Sequence, residues 1–198
     1  MRETERNSLE LLARKIEGQP GSLRLPWPDG KEVGGLRNFD TFDEWFRTFS
    51  ELGLTSCVPQ VLMEKYGRAQ KTFLAAWLDP DLIKAGELVA LTALEFAVTE
   101  RYGHRVTRLP SRKKPTFAGL LDFMVTGDGL TDDLLPFTQK YGGTAVAKLC
   151  LNRHIRPTIA EIRNQLAHGH PFDNMPAGGL LELVRDLIDY AYRDWPEQ

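Results

Sequence analysis

The sequence predicts an all-α protein, a helical bundle with an N-terminal helical elaboration. Apolar residues recur at helical spacing in several segments, and the clearest of these patterns lies over 178–194. Glycine and proline lie between the segments, where helices are expected to end. No stretch shows the convincing alternation of apolar and polar residues that is typical of a strand.

The composition favours a soluble, cytoplasmic protein. Hydrophobic residues make up 42% of the 198-residue chain, which is enough for the core of an ordinary domain. The net charge of −2 excludes the overall basic character of many nucleic-acid-binding domains. Two cysteines are too few for a disulfide framework, so free thiols in a reducing cytosol are expected. The charged N-terminus and the short apolar runs predict neither a signal peptide nor a membrane span.

Residues 1–75 are interpreted as an N-terminal extension of helices and loops. Apolar residues at helical spacing predict a helix over 3–17, and recurring glycines and prolines predict a loop over 18–35. The sequence pattern over 57–77 predicts one or two short helices, with a break at Gly67.

A capping box is predicted at Thr41 and Glu44, before a group of aromatic side chains. Large aromatic side chains are usually buried, so this group indicates a small core rather than a surface that stacks on nucleic-acid bases. Its members are Phe39, Phe42, Trp45, Phe46 and Phe49.

Residues 76–198 carry the stronger helical signals and are interpreted as the main bundle. A long helix is expected to begin at the run Asp79-Pro80-Asp81 and to end at Gly103. Its middle is apolar on nearly every side, which predicts a buried central helix. Shorter helices are expected over 116–126, from Thr131, and over 144–151.

Glu95 stands out in the apolar middle of the long helix. It shares a thin polar stripe with Thr92 and Thr99, so it could lie at an edge and reach water. The alternative is that Glu95 contacts Arg163 on another helix of the bundle.

The helix expected over 157–168 has two distinct faces. At about 100° per residue, Ile159, Ile162 and Leu166 form one narrow apolar stripe. The opposite face is small and polar, with Arg163 at its flank. A face that meets only water more often carries Glu, Lys and Gln, so this one favours a site or a close partner. Its residues are Ala160, Asn164, Ala167 and His168.

The end of this helix, together with an upstream Ala-Leu-Glu-Phe-Ala helix, resembles the HEPN superfamily. Its signature is an arginine, four to six residues and a histidine, often with a polar residue directly after the arginine. Arg163 and His168 match with four residues between them, and Arg163 and His170 match with six. Asn164 matches the polar position. We favour His168, because Gly169 is expected to end the helix.

The resemblance covers about 79–195 and implies a bundle that forms a homodimer through the 157–168 helix. It also implies a metal-independent endoribonuclease without cofactors, in a toxin, phage-defence or RNA-processing role, and an antitoxin or another protein as a possible partner. His168 would serve as general acid and base, Arg163 would bind phosphate, and Asn164 would support them. His170 and Glu95 are lower-ranked candidates.

Two stretches near the motif contain basic residues and no acid. Such a run is usually a solvated surface, but local positive potential can also attract a polyanion such as RNA. The first stretch, over 101–121, supplies the candidate RNA-binding residues Arg105, Arg108, Arg112, Lys113 and Lys114. The second lies over 134–160.

Three other interpretations stay open at this stage. In the first, the motif is structural, with a histidine favoured at a helix C-terminus and an arginine paired with a carboxylate. In the second, the protein is a non-catalytic module that binds a protein or a nucleotide through the same face. A metal site from Cys150, His154, His168 and His170 matches no familiar zinc spacing, so no metal is expected.

Overall fold

The computed structural model describes residues 7, 10, 12–14, 16–17, 21–28, 35–106, 115–150, 155–169 and 176–195. Helices make up most of this part of the chain, and a two-stranded antiparallel sheet is added to them. Over the same residues, no helix is both long enough and apolar enough to cross a membrane.

The elements follow one another along the chain, after helical residues within 7–16. The strands are β1 (Leu23–Pro26) and β2 (Leu36–Phe39). The α-helices are α1 (Phe42–Ser50), α2 (Gln60–Ala75), α3 (Leu82–Val106), α4 (Phe117–Thr126), α5 (Pro136–Tyr141), α6 (Ile159–Ala167) and α7 (Leu180–Tyr192). Short 3₁₀ turns lie at Asp132–Leu134 and Val146–Lys148.

Helix α3 lies at the centre of the bundle and packs against α2, α4, α6 and α7. The apolar middle predicted for it is buried on several sides, including Ala90, Leu94 and Val98. The hydrophobic core is continuous and takes in residues on both sides of the expected boundary between 75 and 76. The division into an extension and a bundle stays a prediction.

The aromatic group around α1 packs into the core, as expected. Trp45 is fully buried, and its ring meets those of Phe39, Trp27 and Phe49 edge to face. The Trp45 indole N–H donates to the carbonyl oxygens of Phe73 at 2.9 Å and Leu74 at 3.3 Å. This side chain therefore ties α1 to the C-terminal end of α2.

The prediction that the chain has no strands was wrong at β1 and β2. Leu23 pairs with Phe39 and Leu25 with Arg37 in an antiparallel register. Leu23 and Leu25 are buried while Arg24 is exposed, so β1 does alternate. The alternation covers only a few residues among many glycines and prolines, too few to be distinguished from a loop.

Two glycines expected to end helices lie inside them. Gly67 is buried within α2, and Gly103 lies in the last turns of α3. A glycine costs a helix about 1 kcal/mol, which tertiary packing readily offsets. Over 144–150 the structure has one 3₁₀ turn, Val146–Lys148, in place of the third short helix that the sequence predicts.

Replacing Gly86 by alanine should destabilise the protein, although alanine is the better helix former. A Cβ at position 86 would lie 2.8 Å from Cδ2 of Phe73, whose buried ring has no room to move. Over-packing of this kind costs about 1–3 kcal/mol, against about 1 kcal/mol gained in propensity. Urea unfolding should show a lower free energy of unfolding for Gly86→Ala.

Gly103→Ala is the matched control on the same helix. A Cβ at position 103 would come no nearer than 3.9 Å to Cγ2 of Thr99, so this variant should be as stable as the parent or more stable. Equal stabilisation by both variants would contradict the close packing of Gly86 against Phe73.

Candidate functional site

Helix α6 begins at a complete capping box. The Thr158 hydroxyl accepts the Glu161 N–H at 3.2 Å, and the Glu161 carboxylate accepts the Thr158 N–H at 2.8 Å. Glu161 also pairs with Arg156. The hydrogen bond from Arg156 and that from the Thr158 backbone lower the pKa of Glu161 to about 2, so the cap keeps its charge at neutral pH.

The other end of α6 closes as expected. His168 is the C-terminal capping residue, and its backbone N–H donates to the Asn164 carbonyl oxygen at 3.0 Å. Gly169 follows with φ of +61°, a left-handed conformation that glycine adopts without strain. The helix therefore ends at Gly169 and leaves the His168 side chain exposed.

The two predicted faces of α6 are present, with one correction. Ile159 is buried, and Ile162 and Leu166 pack against the core. Asn164, Ala167 and His168 are exposed on the opposite face. Ala160 was wrongly assigned to that face: it is only 6% exposed and belongs to the core, because the first turn of the helix is enclosed on more sides than the last.

Glu95 and Arg163 meet across the bundle. A terminal guanidinium nitrogen of Arg163 lies 2.5 Å from Oε2 of Glu95, and the two side chains remain 27% and 30% exposed. Arg163 also donates to Oδ1 of Asn164 at 3.2 Å. Of the two interpretations of Glu95, the contact with Arg163 is therefore the one present, and Glu95 still reaches the surface.

This contact fixes the guanidinium in a defined orientation. Two terminal nitrogens of Arg163 are engaged by Glu95 and Asn164, while Nε is buried and no described residue accepts a hydrogen bond from it. The group keeps its positive charge in all ordinary conditions and has donors suited to phosphate oxygens. The Glu95 carboxylate already accepts a hydrogen bond from one of these donors.

Arg105 is part of a different cluster. It pairs with Asp128 at 3.0 Å and lies over the Phe123 ring at 5.3 Å. Burial favours the neutral form of Asp128, but hydrogen bonds from Arg193, Tyr102 and Arg105 lower its pKa. Arg105 is therefore held by an ion pair with Asp128, which it shares with Arg193. The other four basic candidates, Arg108, Arg112, Lys113 and Lys114, lie outside the described residues.

The remaining candidates are two histidines, the two cysteines and a metal site. His170 and His154 lie outside the described residues, and Cys57 and Cys150 form no disulfide. Within the described ranges, no group of three or more His, Cys, Asp and Glu side chains is placed to hold a metal ion.

One polar cluster was missed by sequence reasoning. Asp186 and Asp189 lie on α7 beside a cavity, together with Arg185. The signal was present in the sequence, since two acids three residues apart interrupt a strongly apolar helical pattern.

The chain was also compared with known proteins. No model of a protein family, no curated protein and no solved structure matches it.

Proposed function

We propose that this protein is a metal-independent endoribonuclease that acts as a homodimer. One observation carries the proposal: Glu95 and Asn164 hold the Arg163 guanidinium at the surface of α6, and the same helix ends with the exposed imidazole of His168. These residue types suit the cleavage of a phosphodiester. The resemblance of the Arg163–His168 run to the HEPN signature supports the same reaction.

The proposed chemistry is an internal transesterification. The ribose 2′-oxygen attacks the phosphorus, and its proton passes to a base. The 5′-oxygen leaves and takes a proton from an acid, so the products carry a 2′,3′-cyclic phosphate and a 5′-hydroxyl. His168 can perform either proton transfer because an imidazole can both accept and donate a proton. Arg163 stabilises the negative charge that develops on the phosphate oxygens.

The requirement for both a base and an acid supports a dimer. Among the described residues of one chain, His168 is the single histidine on this face of α6. A second copy related by a two-fold axis would bring its own His168 to the same place. Asn164 and Ala167 beside it are small enough to allow a close approach of two helices. A toxin, phage-defence or RNA-processing role, and an antitoxin partner, remain expectations from the resemblance alone.

The dimer should be visible in sedimentation. At tens of micromolar the protein should sediment as a dimer, and Ala167→Glu should shift it to a monomer by placing a bulky charge on the exposed face of α6. Ala85→Glu is the matched control, because Ala85 is also an exposed helical alanine, on α3. A monomeric parent protein, or equal effects of the two variants, would exclude the α6 interface.

One observation favours a second candidate function. The Glu95 carboxylate partly neutralises Arg163, as in a structural ion pair. The alternative is therefore a non-catalytic module that binds a protein or a nucleotide through the same face.

Cleavage of single-stranded RNA in EDTA tests the proposal against this alternative. The parent protein should cleave, and Arg163→Lys should abolish most of the activity because an ammonium lacks the two-pronged geometry of a guanidinium. Arg47→Lys, at an exposed arginine of α1, should retain full activity. RNA binding without cleavage would favour the binding module.

A further inference from the structure

A cavity of about 670 Å³ lies against the polar side of α7. Its described lining includes Arg185, Asp186 and Asp189 of α7, Thr55 of the loop after α1, and Leu134 before α5. Sites for small molecules usually enclose about 300–1,000 Å³. None of these residues belongs to the proposed ribonuclease site.

Most of the charges in this cavity are already balanced. Arg185 donates twice to Oδ1 of Asp186, from Nε at 2.8 Å and from a terminal nitrogen at 2.6 Å. The other oxygen of Asp186 accepts the Phe137 N–H at 2.6 Å, and the side chain is only 2% exposed. Arg193 is paired with Asp128 at 2.9 Å, a carboxylate that it shares with Arg105. The Arg185–Asp186 pair leaves no charge for a ligand.

Asp189 is the exception among the charged groups of this cavity. Its Oδ1 accepts the Thr55 N–H and the Thr55 hydroxyl, both at 3.0 Å, and both donors are neutral. Within the described part of the chain, no cation forms a salt bridge with Asp189. Burial raises the pKa of Asp189, and the two hydrogen bonds from Thr55 and the charge of Arg185 only partly oppose this shift. The cavity thus contains one carboxylate that has no salt bridge among the described residues.

We propose that this cavity binds a small organic cation, an amine or a guanidine with an apolar body, whose charged group pairs with Asp189. The apolar body would pack on Leu134, which is 53% exposed at the rim, and beside Pro136 and Tyr190. A metal ion fits less well, because no three ligand side chains in the described ranges converge here. A single carboxylate without a salt bridge instead matches a single positive charge.

Calorimetric titration with benzylamine tests this site in the full-length protein. We expect saturable binding with a dissociation constant of about 1 mM, as suits a ligand of this size. Benzyl alcohol has nearly the same shape without the charge and should bind at least about tenfold more weakly, since hydrogen bonds to charged groups are the stronger ones. This comparison needs no variant. Equal binding of the two compounds, or no binding of benzylamine, would overturn the proposal.

Asp189→Asn tests the assignment to this carboxylate. The amide oxygen can still accept both hydrogen bonds from Thr55, so the fold should be retained, which thermal unfolding would check. Benzylamine affinity should fall at least about tenfold. Asp43→Asn makes the same charge change at an exposed position of α1 and should leave the affinity unchanged. Unchanged binding by Asp189→Asn would place the benzylamine elsewhere and overturn the assignment.

Discussion

His168→Ala should reduce the rate of RNA cleavage about 10²–10⁴-fold, the usual contribution of a positioned acid or base. The loss should appear in kcat as well as in kcat/KM, because the proton transfer occurs in the transition state. The free energy of unfolding should hardly change. The imidazole is exposed, and the backbone hydrogen bond from residue 168 to Asn164 does not need it.

Two other histidines serve as controls for this result. His104→Ala changes an exposed histidine in the last turn of α3 that is not part of the Arg163–His168 motif, and should keep full activity. His170→Ala should be mild, because the helix ends at Gly169 before that position. If His170→Ala were the inactive variant, the longer spacing from Arg163 would be the functional one and the role given to His168 would be wrong.

Trp45→Ala should remove about 3–5 kcal/mol from the free energy of unfolding, as expected for a large aromatic side chain in a core. Its ring is completely buried among Trp27, Phe39 and Phe49, and its N–H bonds the end of α2. Domains are stable by only about 5–15 kcal/mol, so this loss is a large part of the total. Urea unfolding monitored by circular dichroism would measure it.

Phe46→Ala provides the comparison on the same helix. Phe46 is only partly buried and packs at the margin of the core, so its loss should cost clearly less than that of Trp45. Similar losses for both variants would mean that the contact between α1 and α2 does not depend on Trp45.

Much of the helical framework could be predicted because its signals are local. The apolar pattern over 178–194 is confirmed, since Leu180, Leu181, Val184, Leu187, Ile188 and Ala191 are all buried. Thr116 and Thr158 cap α4 and α6, and the Thr41 hydroxyl accepts the Glu44 N–H before α1. These patterns depend on neighbours within a few residues, which the sequence displays directly.

The errors arose where distant parts of the chain decide the outcome. Gly67 continues its helix because the surrounding core offsets its low propensity, and Gly103 also lies within its helix. Ala160 is buried although it lies off the apolar stripe, since the first turn of α6 is enclosed by the core. Spacing along one helix does not determine which neighbours surround it.

The site was only partly predictable for the same reason. The exposed Asn164 and His168 follow from the periodicity of α6. The pairing of Glu95 with Arg163 joins residues 68 positions apart and could be named only as one of two alternatives. The hydrogen bonds of Asp189 come from Thr55, in a loop distant in sequence.

The chemistry of the RNA products tests the central claim most directly. The purified protein would be incubated in EDTA with a single-stranded RNA, and with the same RNA carrying 2′-O-methyl groups at the cleaved positions. The account predicts fragments that end in 2′,3′-cyclic phosphate and 5′-hydroxyl, and no cleavage of the methylated RNA, whose 2′-oxygen cannot attack. Cleavage of the methylated RNA at the same positions, or no cleavage of either RNA, would contradict it.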